Sequence, residues 1–135
     1  MSDVEIIKTC ELAITHLTEV GWTRKQYLCG YNDGILRPRK FKACAVGALV
    51  IVGLPADQDL YIDWMREIKA CPALPAVTKV ILERHPELTP RSRETPDTTI
   101  VRFNDEVAKD VDDVIEILQE TIKRHQDAIS EDEDF

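Results

Sequence analysis

The sequence predicts a mostly α-helical protein, a compact bundle of about five helices carrying a small β-hairpin near residues 27–36. Three observations carry that prediction. Val111, Val114, Ile115, Leu118, Ile122, His125 and Ile129 recur at i, i+3, i+4, i+7, i+11, i+14 and i+18, which gathers them on one face of a helix. Ile6, Cys10, Ala13, Leu17 and Val20 do the same near the N-terminus, with Ile7 and Ile14 widening the stripe. Phe41 to Val52 is apolar on nearly every face, as a helix buried at the centre of a small protein would be.

Taken in chain order, the first helix spans 3–20. Ser2-Asp3-Val4-Glu5 has the form of a capping box, and Gly21 suits the left-handed position after the last turn. Gly21-Trp22-Thr23 opens a less regular stretch, in which Thr23-x-x-Gln26 can start a helical turn. Tyr27-Leu28-Cys29-Gly30-Tyr31 and Ile35-Leu36 then flank Asn32-Asp33-Gly34, and Asp-Gly supplies the positive φ angles of a tight hairpin turn. Such a ribbon is marginal alone, so it must pack on the helices.

In the central helix Gly47 costs about 1 kcal/mol relative to alanine, a cost that points to another helix or backbone passing close to Gly47 and Ala48. Gly53 and Pro55 end the segment. Asp57 or Asp59 can cap a third helix carrying Leu60, Ile62, Trp64, Met65 and Ile68, up to Cys71-Pro72. Pro75 fits the first turn of a fourth, with Val77, Val80 and Ile81 inward and His85-Pro86 as the stop. Residues 86–99, rich in proline and charge, read as an exposed loop. Ile100 to Phe103 is a short apolar piece, strand or helical turn. Asp110 caps the last helix, whose dipole Asp112 and Asp113 complement. Residues 1–129 therefore form one globular domain, and 130–135 a frayed acidic tail.

A chain of 135 residues buries about two-thirds of its unfolded surface and needs neither disulfide nor metal to fold. The N-terminus has no basic region of the secretory kind. The longest apolar run, Ala43 to Leu54, covers twelve residues, against roughly 20 for a bilayer span. A cytoplasmic protein with no membrane partner is expected. Cys10, Cys29, Cys44 and Cys71 lie 19, 15 and 27 residues apart, which suits free thiols and not a zinc site. The net charge of −8 is uneven: residues 1–50 carry seven Lys and Arg against five Asp and Glu, and residues 51–135 carry ten against twenty. An acidic chain repels phosphate backbones, so a nucleic-acid partner is not expected. The local exception is Arg37, Arg39, Lys40 and Lys42 in the run RPRKFK.

Gly21-Trp22, Asn32-Asp33-Gly34, the helix Cys44-Ala45-Val46-Gly47-Ala48-Leu49, Phe103-Asn104-Asp105 and a capped terminal helix occur here together and in that order. In this the chain, from about residue 6 to 129, resembles a family of small uncharacterised proteins from actinobacteria and their bacteriophages, a domain of unknown function. Where that family often has an aromatic just before the cysteine, this chain has Lys42 and Ala43; where it tends to start the last helix with Thr, this chain has Asp110. The resemblance implies a setting, phage or actinobacterial cytoplasm, and no reaction.

Candidate catalytic residues are Cys44 and Asp105. Cys44 begins a helix, where a thiol pKa falls, and Asp105 could serve in acid–base work or hold a substrate beside Asn104. Against this, Cys44 sits on an apolar helix, Asn and Asp commonly form the corner before a helix, and none of His16, His85 and His125 adjoins a catalytic signature. Asp110, Asp112 and Asp113 lack EF-hand spacing, and no phosphate-cradling glycine motif occurs, so neither metal nor cofactor is expected. Trp22 and Trp64 could anchor a partner if exposed, and would otherwise be core.

The expected function is a non-catalytic cytoplasmic protein-interaction module, phage-encoded and acting on a host protein in the setting the resemblance implies. The alternatives are a small Cys-dependent hydrolase or transferase using Cys44 with a histidine and Asp105, and a nucleic-acid-related module or acidic nucleic-acid mimic. What separates them is whether Cys44, a histidine and Asp105 meet in one water-accessible pocket.

Overall fold

The computed structural model describes residues 2–29, 37–55, 58–91 and 94–133, with side chains described to residue 130. Six α-helices run through these residues: α1 (Asp3–Glu19), α2 (Ala45–Ile51), α3 (Trp64–Ala70), α4 (Ala73–Arg84), α5 (Thr98–Arg102) and α6 (Val111–Glu133). Pro38–Lys40 and Pro86–Leu88 form 3₁₀ turns, and α5 continues directly into a π-helical turn over Phe103–Val107.

α2 is the centre, as its composition predicted. All of its residues are buried, and α1, α3, α4 and α5 each pack on it. α6 lies along α1 and against α4. Ile6, Cys10, Ala13 and Leu17 of α1 are buried at the predicted spacing. On α6 the buried line runs through Val114, Ile117, Leu118 and Thr121, slightly rotated from the predicted stripe. Thr121 is tolerated there because its hydroxyl donates to the Ile117 carbonyl at 2.9 Å. α6 continues to Glu133, into the segment expected to fray.

Local signals set most helix ends. Ser2 Oγ accepts from the Glu5 amide, Asp110 Oδ1 from the amides of Asp112 and Asp113, and Gly21 leaves α1 with a φ of 133°. α3 begins later than expected, because Asp63, and not Asp59, caps it by accepting from the Arg66 amide at 3.3 Å; Asp57 lies outside the described residues. Residues 86–99 are not simply an exposed loop. Leu88 turns into the core, its carbonyl accepts from Thr99 Oγ1 at 3.0 Å, and Asp97 and Thr99 are buried.

The expected β-hairpin near 27–36 is not supported. Residues 30–36 lie outside the described residues, and the described arm pairs elsewhere. The Cys29 amide donates to the Lys42 carbonyl at 2.7 Å and the Cys44 amide to the Tyr27 carbonyl at 3.1 Å, an antiparallel bridge of Leu28 with Ala43. On its other side Ala43 bridges Trp22 in parallel, donating to Gly21 and accepting from Thr23. Buried Ala43 and its neighbours lead into α2 extended, so their amides and carbonyls need partners outside any helix. Two flanking segments supply them, and no described residue forms a strand longer than a bridge.

The Tyr27 carbonyl also accounts for Gly47. A Cβ built on Gly47 would lie 2.0 Å from that oxygen. The close neighbour is therefore non-helical backbone at Tyr27 and not a helix.

Candidate functional site

Two of the four cations of the RPRKFK run are engaged, while Lys40 and Lys42 are exposed. Arg39 donates to the Val52 carbonyl at 2.7 Å, closing the C-terminal end of α2, and Arg37 pairs with Asp59 at 3.2 Å. Basic side chains at helix C-termini satisfy carbonyls left over by the helix. Lys42 lays its alkyl stem over Gly21, where a Cβ would meet Lys42 Cγ at 2.8 Å.

Asn104 is fully buried, and its amide is completely used. Its Oδ1 accepts from Trp22 Nε1 at 2.7 Å and the Ala45 amide at 3.0 Å, while its Nδ2 donates to the Thr23 carbonyl at 3.1 Å and Asp105 Oδ1 at 2.9 Å. One side chain thus ties the 22–25 loop, the start of α2 and the π-helical turn together. Asn104 and Asp105 lie inside that turn; the corner before α6 falls at 108–110 instead. A π-helical turn is rare and frequently sits at a functional site.

Asp105 Oδ1 accepts in addition from the Lys25 amide at 2.9 Å. Lys25 has φ 67°, the left-handed region, and among the described residues no other side-chain-bearing position does. Strain of this kind persists only when its surroundings enforce it, and it clusters at ligand sites.

Next to this loop opens a cleft of about 530 Å³, lined by Lys25, Tyr27, Cys44, Asp97, Arg102 and Asp105, with Gln26, Thr95, Thr98 and Val101 completing its wall. That volume falls in the range of small-ligand sites, roughly 300–1,000 Å³. Asp97 anchors its back wall: 2% exposed, it accepts from Tyr27 Oη at 2.7 Å and Thr95 Oγ1 at 2.5 Å. Burial, and then the Asp97 hydrogen bond and charge, push the Tyr27 phenol well above its ordinary pKa. The Tyr27 ring stacks on Trp64 with centroids 4.6 Å apart.

Cys44 and Asp105 therefore share one cleft, but no histidine lines it. His16 donates Nε2–H to the Phe41 carbonyl at 2.8 Å, His85 leans on Phe103, and His125 pairs with Asp3 at 2.5 Å. Cys44 is 3% exposed and acts as the N-cap of α2, its Sγ accepting from the Gly47 amide at 3.3 Å. Burial raises the thiol pKa, the Gly47 and Val46 amides lower it, and the Asp105 and Asp97 charges raise it again, for a result of about 12. The helix terminus that would activate the thiol is outweighed by desolvation.

The other sequence candidates fall outside the cleft. Trp22 is half-buried, bonded to Asn104 and covered by Arg24 at 4.8 Å from its ring centroid. Trp64 is half-buried behind Tyr27. Asp110 and Asp113 are engaged with backbone amides, and among the described residues no cluster of three or more His, Cys, Asp or Glu could hold a metal ion. No helix among them is long and apolar enough to cross a membrane.

Tyr27, Asp97, Lys25 and Arg102 were not singled out by sequence. The nearest signal was Thr95-Pro96-Asp97-Thr98-Thr99, a run of capping residues just before apolar Ile100-Val101. No curated protein and no solved structure matches the chain. Residues 1–124 match the family of unknown function DUF6197, and the chain belongs to that family.

Proposed function

We propose that the protein is a non-catalytic binding module of the actinobacterial or phage-infected cytoplasm, which engages a partner through the cleft between the 25–27 loop, α5 and Asp105. The observation that carries this reading is the state of Cys44. The nucleophile in the cleft lining is buried, held protonated by that burial and committed as a helix cap, while the groups around it are fixed for recognition. Tyr27, Thr95 and Asp97 form a locked wall, and Lys25 is held in a strained turn by Asp105. A preorganised wall favours binding, because little ordering remains to be done when a ligand arrives.

The test is capture from host lysate by three forms of the chain. Thr98→Trp fills the cleft from its rim and should abolish capture of the partner retained by the wild type. Cys44→Ser keeps a capping oxygen and should retain it. Capture undiminished by Thr98→Trp, or lost in a folded Cys44→Ser, overturns the reading.

A further inference from the structure

Resting on the reading of the cleft as a binding site, we infer that its ligand presents a carboxylate next to an apolar group. The charges in the cleft differ in how far they are already satisfied. Both oxygens of Asp97 accept hydroxyls, and Asp105 Oδ1 accepts from two N–H donors. The cations are the reverse. Among the described residues Lys25 makes no ion pair through its ammonium, and the nearest carboxylate oxygen to the Arg102 guanidinium is that of Glu106 at 4.0 Å. In a chain with 25 acidic and 17 basic side chains, one cation without an ion pair and one held only by that long pair with Glu106, both lining one cleft, are an anion-directed feature.

The kind of anion follows from the remainder of the lining. A dianion such as a phosphate monoester would enter a cleft whose walls hold the Asp97 and Asp105 carboxylates, and the second charge would be repelled by both. A carboxylate carries one charge, and its planar shape matches the guanidinium fork of Arg102 for a bidentate pair. The same lining is also apolar, through Val101, Cys44 and the Tyr27 ring. A group with a hydrocarbon portion directly behind its carboxylate meets both kinds of lining. Two sources offer this chemistry, a free organic acid and the C-terminal residue of a protein chain.

The experiment is an amide NMR titration of the full chain with hexanoate, hexanamide, hexylamine and inorganic phosphate, and with a leucine-terminated tetrapeptide as free acid and as C-terminal amide. Hexanoate should shift Gln26, Thr98 and Arg102 saturably, and hexanamide and hexylamine should bind about tenfold or more weakly, the loss expected for one charge-assisted pair. Arg102→Gln and Lys25→Gln, both outside the core, should each weaken hexanoate, and added salt should weaken it in the wild type. A tetrapeptide acid that binds more tightly than hexanoate identifies a chain terminus as the source; hexanoate binding as tightly identifies a free acid. Hexylamine, hexanamide or phosphate matching hexanoate, or hexanoate indifferent to Arg102→Gln, overturns the ligand class. So does the absence of any saturable shift. If Thr98→Trp still abolishes partner capture, only the ligand class has failed; if it does not, the binding reading has failed as well.

Discussion

Gly47→Ala should destabilise the protein although alanine is the better helix former. The propensity gain is about 1 kcal/mol. Against it stands a Cβ placed 2.0 Å from the Tyr27 carbonyl oxygen and 2.9 Å from the carbonyl carbon. No side-chain rotation relieves that contact, because both atoms are backbone. Either α2 or the 27–29 segment must move by more than an ångström, and overpacking of this kind costs about 1–3 kcal/mol. Movement also lengthens the 3.1 Å bond from the Cys44 amide to the same carbonyl, and leaving a buried donor unpaired costs a further 1–3 kcal/mol or so. The net expectation is a loss of about 2–4 kcal/mol. Urea unfolding followed by tryptophan fluorescence measures it, with Gly53→Ala as control. There a Cβ meets only the Val50 carbonyl oxygen at 3.6 Å, and the change should stay within about 1 kcal/mol of wild type. A Gly47→Ala protein as stable as wild type, with an unchanged denaturant slope, would refute the argument from close approach.

Three further expectations test other parts of the structure. Iodoacetamide at pH 7 should label exposed Cys29 quickly and folded Cys44 slowly, since burial pushes the Cys44 thiol pKa up to about 12; rapid Cys44 labelling would reverse the reading of the cleft. Asn104→Ala should lower stability by about 3 kcal/mol or more, because Trp22 Nε1, the Ala45 amide and the Thr23 carbonyl all lose their partner; a melting temperature near wild type would deny the side chain its tying role. His16 has its pKa lowered from 6.5, mainly by burial. The unfolded chain then binds more protons, so the His16 contribution is complete above about pH 6.5 and is lost as the pH falls below it toward the lowered folded value. His16→Gln, which retains a donor for the Phe41 carbonyl, should show a shallower fall in stability between pH 7.5 and 5.5; equal slopes would contradict the assignment.

What the sequence determined by itself is what neighbours three and four residues apart can encode. Ser2 with Glu5, Asp110 with Asp113 and Gly21 after α1 mark helix ends within one turn of themselves, and the apolar character of Phe41–Val52 needed only a central place in which to be buried. Gly47 even announced that something passes close, though not what. The tertiary structure alone decided the rest. The Tyr27 carbonyl reaches Gly47 from twenty positions away, Trp22 finds Asn104 across 82, and Tyr27 finds Asp97 across 70. Such pairs leave no periodic trace in a chain, because each partner alone resembles an ordinary loop residue. Asp97 and Thr99 read as solvent-facing beside prolines and charges until the packing of Leu88 buries them. Arg39 and Arg37 read as a cationic patch until a helix end and Asp59 take them up. Cys44 carries two opposed signals in the sequence, a helix start that lowers a thiol pKa and an apolar helix that buries it, and the desolvation that surrounding segments impose decides between them. Hydrogen-bond partners and dielectric are properties of position in space, and the fold is what assigns them.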